Sequence, residues 1–235
     1  MPLDADRQRI LETIATATIT TVLLKKGLRN LWMRGTRPHF AAVGRRIAGE
    51  VFTLRFVPAR EDLATPESWT KPISTRHAIE EMPAGCLAVA DAMGVCAAGI
   101  FGDILLERMK VRGVAGLVTD GVMRDGAGVE GVDLPVWCNG IAAPPSIAGL
   151  TFVGWQQPIA CGGVAVMPGD VVVADGDGAV LIPEAYVDHV CAEGPEQERL
   201  EAWLHGEVKK GAKLPGLYPP NEETRARYLK DTGRG

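Results

Sequence analysis

Apolar positions along the first half of the chain recur with two periods, and their alternation sets the expected architecture. Residues 4–14 and 18–26 carry apolar side chains at helical spacing with Gly27 as a stop, which predicts two N-terminal helices. Residues 50–57 alternate as a strand, residues 74–82 form a short helix that Ser74 caps, and residues 87–92 form a buried strand. Two loops interrupt this order. The first, RNLWMRGTRPHF, is basic and aromatic; it either borders a pocket for an anion or, more commonly for such a segment, packs Leu31 and Trp32 on the body. The second, AREDLATPESWTKP, is long enough to have a role of its own. After residue 125 the pattern turns to short runs at 134–138, 152–155, 164–167, 170–174 and 179–182, separated by Gly, Pro and Asp, as in hairpins or a partly closed barrel. Residues 184–213 read as a charged helix broken near Gly194-Pro195, followed by a Pro-rich tail with little core of its own.

Between these halves lies GDILLERMKVRGVAGLVTDGVMRD, residues 102–125. Gly102 and Asp103 offer a helix start, and Ile104, Leu105, Arg108, Met109 and Arg112 keep helical spacing up to Gly113. Residues 114–119 then suit a strand buried on both faces, and Asp120-Gly121 turns the chain toward Arg124 and Asp125. A return of this kind brings Asp103, Asp120, Arg124 and Asp125 to one end of a sheet. There an arginine and the amides of a helix start would face a carboxylate ligand. Taken singly, each feature has a plainer reading: a helix cap, a turn, a surface ion pair.

The order Gly102-Asp103, Gly113, Gly116, then Asp120-Gly121-x-x-Arg124-Asp125 resembles the signature of the RraA-like family. That family includes 4-hydroxy-4-methyl-2-oxoglutarate aldolases and the regulator of ribonuclease E activity A. The likeness continues through Pro135, Gly140, GGVAVMPGD and ADGDGAVLIP and covers residues 16–190, while KKGLRN, AREDL and LPGLYPP look like the ends of longer, sugar-acid-cluster members. The resemblance implies a swivelling β/β/α fold: one α/β domain over residues 1–190 with N-terminal helices, and a helical extension at 191–235 that packs on a neighbouring subunit of a homotrimer or homohexamer. It implies that Asp125 binds Mg²⁺ or Mn²⁺ directly, with waters completing the shell. Arg124 would hold the carboxylate or keto oxygen of a small 2-oxo acid, with Gly102 and the amides of Ile104 and Leu105 beside it, and Asp103 would order a water for proton transfer. Asp120 is a further candidate, as are Glu196 and Glu198 for a glutamate that reaches the site from a neighbouring subunit. The reaction implied is metal-dependent cleavage of a 4-hydroxy-2-oxo acid to pyruvate, with oxaloacetate decarboxylation as a side activity. The alternative within the family is a regulator that binds a ribonuclease or another protein without chemistry. One departure concerns the distal end of the substrate: Cys138-Asn139-Gly140 stands where the aldolases carry Ala-Arg-Gly.

Composition narrows these readings. With 235 residues, 46% of them hydrophobic, the chain can bury one substantial core. A net charge of -4 lacks the basic excess of a protein that grips nucleic acid through phosphates. Five scattered cysteines without a Cys-x-x-Cys pair suit a reducing cytoplasm. The N-terminus is acidic and polar, and Asp103 interrupts the most apolar stretch, so neither a signal peptide nor a membrane segment is expected. His39, His77, His189 and His205 are isolated, which argues against a zinc site. A methyltransferase reading fails for want of a Gly-x-Gly-x-Gly after an early strand.

Overall fold

The computed structural model describes residues 3–233, and its architecture turns on one long strand. Strand β3 (Ile47–Pro58) runs for 12 residues and serves two sheets. Its first part, from Ile47 to Glu50, pairs antiparallel with β8 (Val171–Asp175), which forms a hairpin with β9 (Gly178–Ile182). From Val51 to Arg55 it pairs parallel with β4 (Leu87–Asp91), followed by β5 (Gly116–Thr119) and β6 (Val136–Cys138). Strand β7 (Leu150–Trp155) pairs antiparallel with the far end of β3 across a bulge at Arg55/Phe56. Two short strands from the basic loop close the edges: β1 (Trp32–Met33) on β9 and β2 (Arg37–His39) on β6. Every residue of β4 and β5 is buried, as expected for parallel strands covered on both faces.

Two cores flank this sheet. Helices α1 (Ala5–Leu11) and α2 (Thr16–Leu24) and the turn between them press Leu11, Ile14, Ile19 and Leu23 onto the β8–β9 side, where Trp137 is fully buried and its indole donates to the Asp175 carbonyl at 2.7 Å. On the other side Ile79 and Met82, from and just after α3 (Thr75–Glu81), meet Leu106 and Met109 of α4 (Asp103–Val111) over Phe56, Phe101 and Leu117. Ser74 caps α3 as expected, its hydroxyl accepting from the His77 amide. A five-residue helix, α5 (Gly126–Glu130), follows the central stretch.

Three expectations need correction. Helix α6 (Val187–Lys209) runs unbroken through Gly194 and Pro195. Gly194 has no side chain where a Cβ would lie 2.5 Å from Ile14 Cδ1, and this close packing on the N-terminal helices outweighs the hydrogen bond that proline cannot donate. The tail is not merely Pro-rich. Asn221 caps a further helix, α7 (Glu222–Asp231), and Leu200, Leu204, Leu217 and Tyr228 form a small core between α6 and the tail. Finally, residues 164–167 form no strand. Val166 makes only an isolated bridge to Ile159, because Gly162 and Gly163 take positive φ just before it. No helix among the described residues is long and apolar enough to cross a membrane.

Candidate active site

The site forms where segment 99–102 runs alongside residues 122–125. Ile100 donates its amide to the Val122 carbonyl, and the Phe101 carbonyl accepts the Arg124 amide, both at 2.9 Å. Two glycines permit this approach. At Gly99 a Cβ would fall 2.7 Å from the Arg124 backbone nitrogen, and at Gly102 it would fall 2.5 Å from Asp125 Oδ2. The carboxylate of Asp125 therefore lies against the start of α4. Asp125 itself adopts left-handed backbone, φ 54° and ψ 48°, a conformation that costs a non-glycine residue about 1 kcal/mol and that Asp tolerates better than most.

Arg124 Nε lies 3.1 Å from Asp125 Oδ2, close enough for an ion pair but not aimed for a hydrogen bond, so the buried Nε has no hydrogen-bond partner among the described residues. The two side chains remain 35% and 46% exposed, which opens the pair to a ligand. Asp103 is the first residue of α4 and half-buried; its Oδ1 accepts the Ile104 amide at 2.7 Å. Gly128 of α5 makes room for the other oxygen, since a Cβ there would sit 2.6 Å from Asp103 Oδ2. Of the two helix-start amides expected to bind substrate, Ile104 N–H is thus engaged by Asp103, while Leu105 N–H has no acceptor among the described residues. Gly102, Asp103, Ile104, Leu105, Arg124 and Asp125 line one cavity of about 320 Å³.

Asp120 lies elsewhere. It is 5% exposed and accepts three backbone amides: Ala92 on Oδ1 at 2.8 Å, and Gly94 and Gly162 on Oδ2 at 3.0 Å each. Burial pushes its carboxyl above the usual range, the three amides pull it back in part, and neighbouring Asp91 pushes it up again. It borders a separate cavity with Asp91 and Arg34. Glu196 and Glu198 do not line the Arg124 cavity of this chain. Glu196 accepts from Arg199 and from the Tyr228 hydroxyl, tying α6 to α7, and Glu198 accepts the Ala15 amide at 2.7 Å just before α2. Sequence reasoning overlooked Arg76 and Trp69, which line the Arg124 cavity. The long loop at 59–72 hinted at a role, but no spacing singled out either residue.

These features meet in a recognisable class: a mixed α/β protein with an Arg-Asp pair and a helix start sharing one cleft. The family model described as RraA-like, aldolase/RraA, matches residues 14–181, and the chain belongs to that family. A protein of Halalkalibacterium halodurans with the provisional name 4-hydroxy-4-methyl-2-oxoglutarate aldolase is 34% identical over 127 residues, which is 54% of this chain and 60% of the relative. A Thermus thermophilus protein of the same provisional name is 34% identical over 140 residues, 59% of this chain and 77% of its own length. Among solved structures, Streptomyces coelicolor RraAS2, described as an unusual member of the RNase ES inhibitor RraA protein family, superposes with a TM-score of 0.78 at 32% identity and covers 88% of this chain and 100% of its own. An uncharacterised Pseudomonas syringae protein, 22% identical with a TM-score of 0.80 over 94% of this chain and 96% of its own, shares the fold.

Proposed function

We propose that this protein is a divalent-metal-dependent aldolase that cleaves a 4-hydroxy-2-oxo acid to pyruvate and an aldehyde or keto acid. The observation that carries this reading is the Arg124–Asp125 pair. Two glycine contacts set it at the mouth of a cleft in strained backbone, with a buried Arg124 Nε that no group among the described residues satisfies.

Among the described residues no three His, Cys, Asp or Glu side chains gather to enclose a metal, so a thiolate or imidazole cage does not fit. A hard cation that retains its waters needs only one or two carboxylates, and half-exposed Asp125, cradled by the bare Cα of Gly102, fits that demand. Asp125 would hold Mg²⁺ or Mn²⁺ directly, with Asp103 on the surrounding waters. Bound there, the ion would supply Lewis-acid stabilisation of the charge that develops on the 2-keto oxygen.

The side chains supply the rest. Arg124 grips the C1 carboxylate with charge-assisted bonds, helped by the free Leu105 amide at the positive end of α4. Asp103 Oδ1 is committed to the Ile104 amide, which leaves Oδ2 to accept the 4-hydroxyl proton through a water. As that proton leaves, the C3–C4 bond breaks, its electron pair passes to C3 and the 2-keto oxygen, and a proton returned to C3 yields pyruvate. Oxaloacetate decarboxylation places charge on the same atoms. A homotrimer or homohexamer, with the 191–235 segment against a neighbour, completes the proposal.

The test is lactate dehydrogenase-coupled pyruvate release from 4-hydroxy-4-methyl-2-oxoglutarate, related 4-hydroxy-2-oxo acids and oxaloacetate. Release that disappears with EDTA and returns with Mg²⁺ or Mn²⁺ supports the reading. Activity that survives exhaustive chelation removes the metal from it, and no release from any substrate removes the aldolase. The second reading, a regulator that binds a ribonuclease without catalysis, draws on the likeness to RraAS2 along that chain's whole length and would then take its place.

A further inference from the structure

The cavity that holds Arg124 and Asp125 has a second cation. Arg76, in the first turn of α3, places its guanidinium 5.0 Å from the centroid of the Trp69 ring, and both residues line the cleft. It makes no hydrogen bond or ion pair among the described residues, and partial burial pulls its guanidinium below the usual arginine value. Other surface arginines are spent on ion pairs, as Arg108 is with Glu80, Arg45 with Asp133 and Arg60 with Asp62, and those without one among the described residues, such as Arg29, Arg37 and Arg225, do not line this cleft. Stacking on an indole face holds a guanidinium in place through the ring's quadrupole without using its N–H donors. Arg76 is therefore positioned, charged and unspent, in the same cleft as the proposed chemistry.

We infer that Arg76, held by Trp69, is the specificity-determining residue for a second carboxylate on the substrate, borne by the fragment that leaves when pyruvate forms. The inference rests on the aldolase reading for which fragment carries the group, but not for the binding itself. Arg124 and the start of α4 engage the C1 end, so a second cation in the same cleft selects a substrate with two anionic ends over one with an apolar end. A planar guanidinium presents paired N–H groups that match a carboxylate. A cavity of about 320 Å³ lies at the small end of ligand sites and suits a short dicarboxylate better than a phosphorylated sugar acid. Asn139 has no charge to offer, and its amide donates to Cys96 Sγ at 3.2 Å.

The test compares two ligands of equal length that differ only at the distal end, 2-oxoglutarate and 2-oxopentanoate. Each is titrated calorimetrically into the full-length protein with Mg²⁺ present. Wild type should hold 2-oxoglutarate about tenfold to a hundredfold tighter, the scale of a hydrogen bond to a charged group. Arg76→Met should bring that ratio to about one, because it keeps the apolar stem and removes the only donors proposed to contact the group. Trp69→Phe, which keeps an aromatic face, should retain most of the discrimination, whereas Trp69→Ala should lose much of it. Equal binding of the two ligands by wild type, or a ratio that survives Arg76→Met, overturns the inference. A 2-oxo acid with a distal phosphate that binds tighter than 2-oxoglutarate overturns the choice of carboxylate. Arg76-dependent discrimination without pyruvate release from any substrate would leave Arg76 as the distal-carboxylate site and remove the aldolase reading; pyruvate release from a dicarboxylic substrate that is indifferent to Arg76→Met would do the reverse.

Discussion

Asp120 and Asp125 lie five positions apart on one turn, and the fold uses them in opposite ways. Asp120 ends its strand inside the protein, where three amides from residues 92, 94 and 162 converge on its two oxygens. It is a bracket that holds the loops after β4 and before β8 to the carboxyl end of β5. The Asp125 side chain accepts no hydrogen bond among the described residues, sits on left-handed backbone and stays nearly half open. A buried carboxylate must be satisfied by the protein itself, whereas a carboxylate kept unsatisfied at a cleft is available for a ligand. The comparison separates the framework of this motif from its chemistry, although both residues are acidic and close in sequence.

The sharpest way to break the comparison is to remove each carboxylate in turn. Asp125→Ala should lower pyruvate release by about a thousandfold or more, since it takes away both the proposed cation ligand and the partner of Arg124. Its folding stability should stay within about 1 kcal/mol of wild type, because a half-exposed side chain that accepts no hydrogen bond contributes little. Asp120→Ala should behave the other way. Three buried amides lose their acceptor, and the urea midpoint should fall by the equivalent of about 3 kcal/mol. If Asp125→Ala unfolded the protein and Asp120→Ala only slowed it, the roles assigned to the two residues would have to be exchanged.

A smaller change sharpens the assignment without touching an acid. Gly102→Ala places a methyl group where the Asp125 carboxylate now rests, with 2.5 Å between Cβ and Oδ2. The backbone at Gly102 is extended, φ -118° and ψ -172°, so alanine fits it without strain. Activity should fall by about tenfold to a hundredfold as Asp125 is pushed aside, while the melting temperature moves little. Equal activity in Gly102→Ala and wild type would show that the position of Asp125 against α4 is immaterial.

What was legible in the sequence follows the range of the forces involved. The apolar runs that became β4 and β5 announce themselves because parallel strands buried on both faces have no polar side to blur the pattern. Arg124 and Asp125 were legible because glycines and charges at fixed spacing mark a turn where backbone segments pass closely and an ion pair is left facing outward. The role of Asp120 was not, since its amide partners stand 28, 26 and 42 residues away and no local pattern records them. Nor was Arg76, whose partner is an aromatic ring in an irregular loop. Pro195 misled for the same reason: local chemistry forecast a break, and the contact between Gly194 and Ile14, far apart in sequence, decided otherwise.

A third carboxylate, Asp175, is as buried as Asp120 but also meets a cation, and it gives the smallest and most pH-specific effect. At the end of β8 it accepts the Thr16 amide at 3.0 Å, the Thr16 hydroxyl at 2.7 Å and the Asp177 amide at 3.0 Å, with Arg46 Nε at 3.3 Å. Burial by itself would raise its carboxyl; the hydrogen bonds and Arg46 outweigh burial and leave it below the usual value of 3.8. A carboxylate depressed on folding adds stability that is fully present above the unfolded-state value and is lost as pH falls through the folded one. Asp175→Asn removes this charge-dependent contribution but keeps an oxygen for one of the donors. Urea unfolding followed by tryptophan fluorescence should therefore find the variant less stable than wild type at pH 7, by less than the Asp120→Ala loss. The difference should hold down to about pH 4 and shrink below it, as wild type takes up the proton that the variant never binds. A difference that stayed constant from pH 7 to pH 3 would mean that Asp175 acts through shape and neutral hydrogen bonds alone. Asp175 would then stand with Asp120 as a purely structural bracket, and its link to Arg46 would count for nothing.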